Sequence, residues 1–259
     1  LSLENESKCL EVMTGAIMPE GVDTVIRYED LTIDDGIATI NEENIREKQN
    51  VHFKGLDRKQ GSIIIPSGKK ISSAEIGTCA TVGKSQVKVS KLPRTIVISS
   101  GDELVAIDQI PKQHQIRSSN MHMIKAVLAG FTIDCDMAHI ADDYETIVAK
   151  LDQYLEEYDL ILLSGGVSMG KFDYLPKALD ELGVRKHFHK IKQRPGKPFW
   201  FGTRDNTVVF AFPGNPVSSY MCINQYLVPW LSSSIQEEIK SPPYASLTDN
   251  VTFKPDMTY

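Results

Sequence analysis

Four short glycine-containing stretches carry the residue types that could do chemistry: Ser164-Gly165-Gly166 with Ser168 and Gly170 after it, Ser100-Gly101-Asp102-Glu103, Arg194-Pro-Gly-Lys197, and Pro213-Gly214-Asn215 with Ser218. A glycine turn between a strand end and a helix start exposes backbone N–H groups, and an open α/β sheet gathers its ligands at that edge. The geometry favours an anion, above all a phosphate. Asp102 and Glu103 sit beside one such turn, and Asp173 follows another. Carboxylates next to a phosphate site usually serve a divalent cation, because a bare carboxylate repels the ligand. Capping of a helix is the other reading for Asp102 or Asp173. In the Arg194 loop two prolines stiffen the chain, Gly196 lets backbone approach a ligand, and Lys197 offers a point charge to an oxyanion. From Arg185 to Lys197 the chain carries Arg185, Lys186, Lys190, Lys192, Arg194 and Lys197 with no acid among them. This is a local patch for an anionic ligand, or equally a solvated charged face.

The elements that must position these residues are legible from pattern. Leu160-Ile-Leu-Leu163 is an unbroken apolar run that suits a parallel strand covered on both faces. Strands are expected at Thr95 to Ser99, Thr132 to Ala138, Asp159 to Ser164, near Phe188 to Ile191, and at Thr207 to Phe212. Helices are expected from about Asn120 to Ala129, Asp143 to Glu157, Phe172 to Leu182 and Val217 to Leu231. Ser119 or Asn120, Asp142 and Asn215 are the natural N-caps. This alternation implies an α/β fold with a three-layer, mostly parallel sheet. Before Pro93 the chain reads instead as an additional β-rich domain, with short strands at Thr24 to Tyr28, Ile37 to Ile40 and Ser62 to Ile65, closed by a helix over Ser73 to Val82. The expected domains are therefore 1–92, 93–237, and a linker with the start of a further β domain at 238–259, where Ser241-Pro-Pro243 marks the linker. The chain reads as an internal piece of a longer protein, without repeats or low-complexity tracts.

Composition excludes several classes. The 259 residues are 41% hydrophobic and 24% charged, ordinary for a globular chain. A formal net charge of −6 speaks against general nucleic-acid binding. No segment approaches the length of a membrane span and no signal-peptide pattern opens the chain, so a soluble cytoplasmic protein is expected. Cys9, Cys79, Cys135 and Cys222 lie far apart, which suggests reduced, mostly buried thiols rather than a zinc knuckle or disulfide framework. His187 and His189 are read as strand residues rather than metal ligands. Neither a Gly-x-Ser-x-Gly elbow nor a Walker loop is present.

Six ordered motifs together resemble one family. They are Ser164-Gly-Gly-Val-Ser-x-Gly170 with Asp173, Ser100-Gly-Asp-Glu-Leu104, Pro195-Gly-Lys-Pro-Phe199, Pro213-Gly-Asn-Pro-Val-Ser218, Met13 to Asp23 with Gly55-Leu-Asp57, and Ser73-Ala-Glu-Ile-Gly77. The chain resembles the molybdopterin molybdenumtransferases, the MoeA and gephyrin E-domain family, over nearly its whole length. The resemblance implies a MogA-like molybdopterin-binding domain that inserts molybdenum from molybdate into adenylylated molybdopterin and releases AMP, in a homodimer. It implies catalytic roles for Glu103, Asp173, Lys197, Arg194 and Lys190, with Glu103 and Asp173 holding Mg²⁺ or another divalent cation. It implies substrate contacts from Thr14, Asp57, Ser100, Gly101, Asp102, Ser118, Ser164, Gly165, Gly166, Ser168, Gly170, Pro213, Gly214, Asn215 and Ser218. The chain departs from the family pattern at Ile116-Arg-Ser-Ser-Asn120, where relatives carry Ile-Tyr-Asp-Ser-Asn, so that Ser118 replaces an acid. Arg194 also stands where a lysine is usual. Two alternatives accompany this reading: adenylyl transfer or pyrophosphate hydrolysis on the same fold, and a non-catalytic scaffold.

Overall fold

The computed structural model describes residues 8–167, 174–235, 246, 248–250 and 252. The chain divides into two compact units, Leu1–Pro66 and Ser67–Tyr259. In the first, strands β1 (Leu31–Asp34) and β2 (Ile37–Ile40) form an antiparallel hairpin. Asp35 and Gly36 both take positive φ, 46° and 75°, as a two-residue Asp-Gly hairpin turn requires. The strand expected at Thr24 to Tyr28 does not form. Val25 is tied by single bonds to Gln49 and Asn50, and the left-handed residues Lys48 and Asn50 stop a ladder from growing there. Nor do Ser62 to Ile65 form a strand, because the segment is bracketed by a turn at Gly61 and by Pro66.

The second unit opens with α1 (Ser73–Thr81), started by a capping box between Ser72 and Glu75. Its sheet has six strands: β3 (Thr95–Ser100), β6 (Cys135–Ile140), β7 (Leu160–Ser164), β8 (Arg185–His189), β9 (Trp200–Arg204) and β10 (Thr207–Phe212), in the order β6-β3-β7-β10-β9-β8. Strands β6, β3, β7 and β10 are mutually parallel, whereas β9 runs antiparallel to both its neighbours. Sequence pattern did not anticipate β9. It pairs with β10 across the two-residue turn Asp205-Asn206, and Gly202 is required because a side chain there would come within 2.4 Å of the Trp200 ring.

Helices cover both faces. Along β3 and β7 alternate residues point to opposite sides: Ile96, Ile98, Ile161 and Leu163 pack with Ile147, Leu151, Leu155, Leu175 and Leu179 of α3 (Tyr144–Glu157) and α4 (Leu175–Glu181). On the other face Val97, Leu160 and Leu162 pack with Ile124 and Leu128 of α2 (Asn120–Gly130) and with Cys222, Ile223, Leu227 and Leu231. These last belong to a continuous helix of α5 (Pro216–Cys222), a π-helical turn (Ile223–Leu227) and α6 (Val228–Ser234). This is the three-layer α/β arrangement expected. The cap of α3 is Asp143, whose carboxylate accepts the Thr146 N–H at 2.9 Å, so Asp142 is not the cap. Ser119 precedes α2 with helical backbone, φ −89° and ψ −34°, and without a side-chain capping bond, and Asn120 is turned to another use. Of the cysteines described, only Cys222 is buried, while Cys9 is exposed.

Candidate ligand crevice

The chain leaves β3 toward β6 on one side and returns to β7 on the other, with α2 and α3 on opposite faces. The carboxyl ends of β3 and β7 therefore flank the point where strand order reverses, the usual ligand crevice of open α/β sheets. Here the turns are in contact. Gly165 has φ 95°, and a Cβ on it would sit 2.9 Å from the Ser100 carbonyl oxygen. Gly166 has φ 66°, and a Cβ there would sit 2.9 Å from Ser100 Oγ and 2.8 Å from Leu175. Only glycine fits both the conformation and the space. The turn after β10 closes the same group, since a Cβ on Gly214 would lie 3.9 Å from the Gly165 Cα. The Gly165 N–H donates to the Phe212 carbonyl at 3.1 Å and fixes the two turns together.

Asn120, which the sequence marks as a helix cap, ties these turns together instead. Its Nδ2 donates to Ser164 Oγ at 2.9 Å and to the Gly214 carbonyl at 2.9 Å, and lies 3.4 Å from Ser219 Oγ. Ser219 Oγ in turn donates to the Pro213 carbonyl. The Gly214 carbonyl can only accept, so this orientation of the amide is the one the contacts allow. Two buried atoms of the crevice, Ser100 Oγ and Asn120 Oδ1, have no partner among the described residues. Buried polar atoms of this kind need an explanation, and a polar ligand seated on the turns would supply one. Asn215 caps α5, its Oδ1 accepting the N–H groups of Val217 at 3.0 Å and Ser218 at 3.2 Å. Its side-chain oxygen is thus committed to shaping the turn, while Pro213 is buried beneath it.

The acids line the β3 side. After Ser100, Gly101 takes φ 132° and the Glu103 carboxylate folds over it, 2.5 Å from where a Cβ would stand. A small parallel clip holds this loop: β4 (Leu104–Val105) pairs with β5 (Ile116–Arg117), and the Ile116 N–H donates to the Glu103 carbonyl at 2.8 Å. The same clip seats Ser118, 7% exposed, whose N–H donates to the Val105 carbonyl at 2.9 Å. Asp102 caps no helix and instead accepts the Asp142 N–H at 3.2 Å. Burial pushes the Asp142 carboxyl above its usual range, the Asp102 backbone opposes the shift, and the neighbouring Asp102 and Glu103 charges add to it. Glu103 and Asp102 are hard oxygen donors of the kind a magnesium ion takes. Among the described residues, however, no group of three or more His, Cys, Asp or Glu side chains is arranged to hold a metal.

The cationic loop reaches the same edge from the antiparallel side. Trp200 pairs with Ala211, so the residues just before β9 lie beside the carboxyl end of β10. Arg194 and Lys197 are exposed there, and Lys190 follows β8 with φ 65°, its N–H donating to the Phe199 carbonyl at 3.1 Å. Arg185 and Lys186, by contrast, sit on the edge strand β8, where exposed charge deters pairing with another chain. The cationic run thus divides into an edge strand and a site loop. His187 and His189 bond separately, to Thr203 Oγ1 at 2.8 Å and to the Val167 carbonyl at 3.1 Å.

Ser168, Gly170 and Asp173 lie outside the described residues. Thr14 and Asp57 belong to the first unit, where Thr14 sits in an exposed turn and Asp57 lies 3.2 Å from His52 Nε2. The linker at Ser241 to Pro243 also falls outside the described residues.

An open α/β sheet with glycine turns meeting at its switch point defines a nucleotide- or cofactor-binding class of fold. Comparison with known proteins narrows the class. Residues 96–233 match the family model described as a probable molybdopterin binding domain, and residues 2–83 match the MoeA N-terminal region, domains I and II. The chain belongs to the MoeA family, with the MoeA N-terminal region ahead of the molybdopterin-binding domain. It is 40% identical over its whole length to a molybdopterin molybdenumtransferase of Synechocystis, spanning 65% of that protein. It is 32% identical, over 87% of its length, to one of Staphylococcus epidermidis, spanning 54% of it. In structure it is similar to a molybdopterin biosynthesis MoeA protein of Pyrococcus horikosii, with a TM-score of 0.72 at 27% identity, covering 87% of this chain and 56% of that one.

Proposed function

We propose that the protein transfers molybdenum from molybdate into adenylylated molybdopterin with release of AMP, completing the molybdenum cofactor. The observation that carries this reading is the meeting of the Ser100, Gly165 and Gly214 turns at the strand switch point, with the Arg194 to Lys197 loop at the same edge. Phosphate oxygens would take the N–H groups of the glycine turns, and Ser100 Oγ would donate to them. Lys197 and Arg194 would attract and orient molybdate, which is substrate. Lys190 adds positive potential at that edge. Glu103, with Asp173, would hold a divalent cation, which when bound neutralises phosphate charge on the acidic side of the crevice. Without it, Glu103 and Asp102 would repel the adenylyl phosphate. Thr14 and Asp57 are proposed as substrate contacts, and the protein to work as a homodimer in the cytoplasm. The names of the curated relatives support the transferase reading. Among the described residues no helix is long and apolar enough to cross a membrane.

One observation favours a second reading, binding without turnover: Ser118 offers a buried hydroxyl where the family pattern has an acid. The deciding experiment incubates the full-length protein with adenylylated molybdopterin, Mg²⁺ and molybdate and follows AMP against a control lacking molybdate. Molybdate-dependent release supports transfer. Release that ignores molybdate assigns the chain to nucleotide hydrolysis, and no release under any condition assigns it to binding alone.

A further inference from the structure

The loop that presents Arg194 and Lys197 is held by a buried amide. Gln193 is 4% exposed, and its Nε2 donates to the Pro195 carbonyl at 2.7 Å while lying 3.9 Å from Cys222 Sγ. Its Oε1 accepts from the Tyr226 hydroxyl, so both ends of the amide are bonded. Cys222 Sγ donates to the Gly196 carbonyl at 3.6 Å, and burial raises that thiol to about 11. Gly196 has φ 111°, and a Cβ on it would lie 2.6 Å from both Cys222 Sγ and Gln193 Nε2. The loop backbone therefore lies directly on this pair. At its far end the Phe199 N–H donates to the Gly196 carbonyl at 3.1 Å, and the Phe199 ring stacks on Tyr226 with centroids 4.7 Å apart. Tyr226 lies in the π-helical turn, a feature frequent at functional sites. The loop is thus clamped at Pro195, Gly196 and Phe199, while its two charged side chains stay exposed.

We propose that Gln193 is a positioning residue for oxyanion capture, fixing the loop so that Arg194 and Lys197 stand ready before the oxyanion arrives. The proposal rests on the reading of this loop as the molybdate-binding element. A loop ordered in advance avoids the entropy of ordering on binding, so its loss weakens oxyanion affinity selectively.

The test compares full-length wild type, Gln193→Met, Tyr226→Phe and the double variant. Gln193→Met keeps volume but abolishes both bonds. Molybdate-dependent AMP release is measured against molybdate and against adenylylated molybdopterin, and hydrogen exchange is followed at the amides of Lys197 and Phe199. Gln193→Met is expected to raise the molybdate KM about tenfold, with kcat at saturating molybdate and the KM for adenylylated molybdopterin changed less than about twofold. Exchange at Phe199 should quicken. Tyr226→Phe should act in the same direction but less, and the double variant no more than Gln193→Met, because the two side chains act through one amide. An unchanged molybdate KM, or a joint fall of kcat with both KM values raised, overturns the proposal. Should wild type itself show no molybdate-dependent release, the functional reading fails and exchange decides alone: unchanged protection at Phe199 in Gln193→Met overturns the positioning role, and faster exchange sustains it.

Discussion

Asn120→Ala puts the greatest load on the geometry of the crevice. The substitution removes the donor shared by Ser164 Oγ and the Gly214 carbonyl, both 2.9 Å away, in a site where Asn120 is 8% exposed. Two hydrogen bonds at about 1 kcal/mol each, plus a Gly214 carbonyl left unpaired, total about 2–3 kcal/mol. Loss of the unpartnered Asn120 Oδ1 returns a fraction of this. For a unit of this size a destabilisation of that order lowers Tm by about 5–10 °C. Because the broken bonds hold the turns rather than the sheet, affinity for adenylylated molybdopterin should fall as well, by about tenfold or more. Thermal unfolding and calorimetric titration of the full-length protein measure the two effects. A Tm within about 1 °C of wild type together with unchanged affinity would refute the assignment of Asn120 as the tie between turns.

Two glycines should separate fold from binding. Gly165→Ala forces a left-handed backbone and meets the Ser100 carbonyl at 2.9 Å, so both Tm and ligand affinity should fall; Gly214→Ala meets only Gly165 Cα at 3.9 Å, so Tm should hold while a methyl group in the crevice weakens binding. Asp142→Asn tests the acidic side. Burial raises the folded-state carboxyl of Asp142 above its unfolded value, so the stability it contributes is full below the unfolded pKa and is lost as pH rises through the folded one. The variant should therefore be more stable than wild type at neutral pH, with the difference vanishing below the ordinary aspartate range. Chemical denaturation at several pH values checks this, and an advantage that persists in acid contradicts it.

Much of the second unit was legible because its signals are local. The apolar runs of β3, β7 and β10 are buried on both faces, so they read as continuous hydrophobic segments bounded by glycine. The glycine turns were legible for the same reason. What stayed hidden depends on distant partners or on very short pairing. Asn120 occupies a helix start and reads as a cap, but its partners lie 44, 94 and 99 residues away. Gln193 is lost within a run of cations, yet its partner Tyr226 is 33 residues on. The β4–β5 clip has two residues per strand, too few for periodicity, although it seats both Glu103 and Ser118. Strand β9 is signalled only by Asp205-Asn206 between two apolar pieces, the first of which Gly202 interrupts. In the first unit, isolated pairs such as Val25 with Gln49 resembled strands in sequence but found no ladder to join.

The central claim is that turns from separate strand ends form one phosphate-binding crevice. Its most direct test is a crystal structure of the full-length protein with adenylylated molybdopterin bound. The account predicts phosphate oxygens within hydrogen-bond distance of the Gly166 N–H and of Ser100 Oγ, with the Asn120 bonds to Ser164 and Gly214 intact. Ligand density seated elsewhere on the sheet, with these turns untouched, would contradict it.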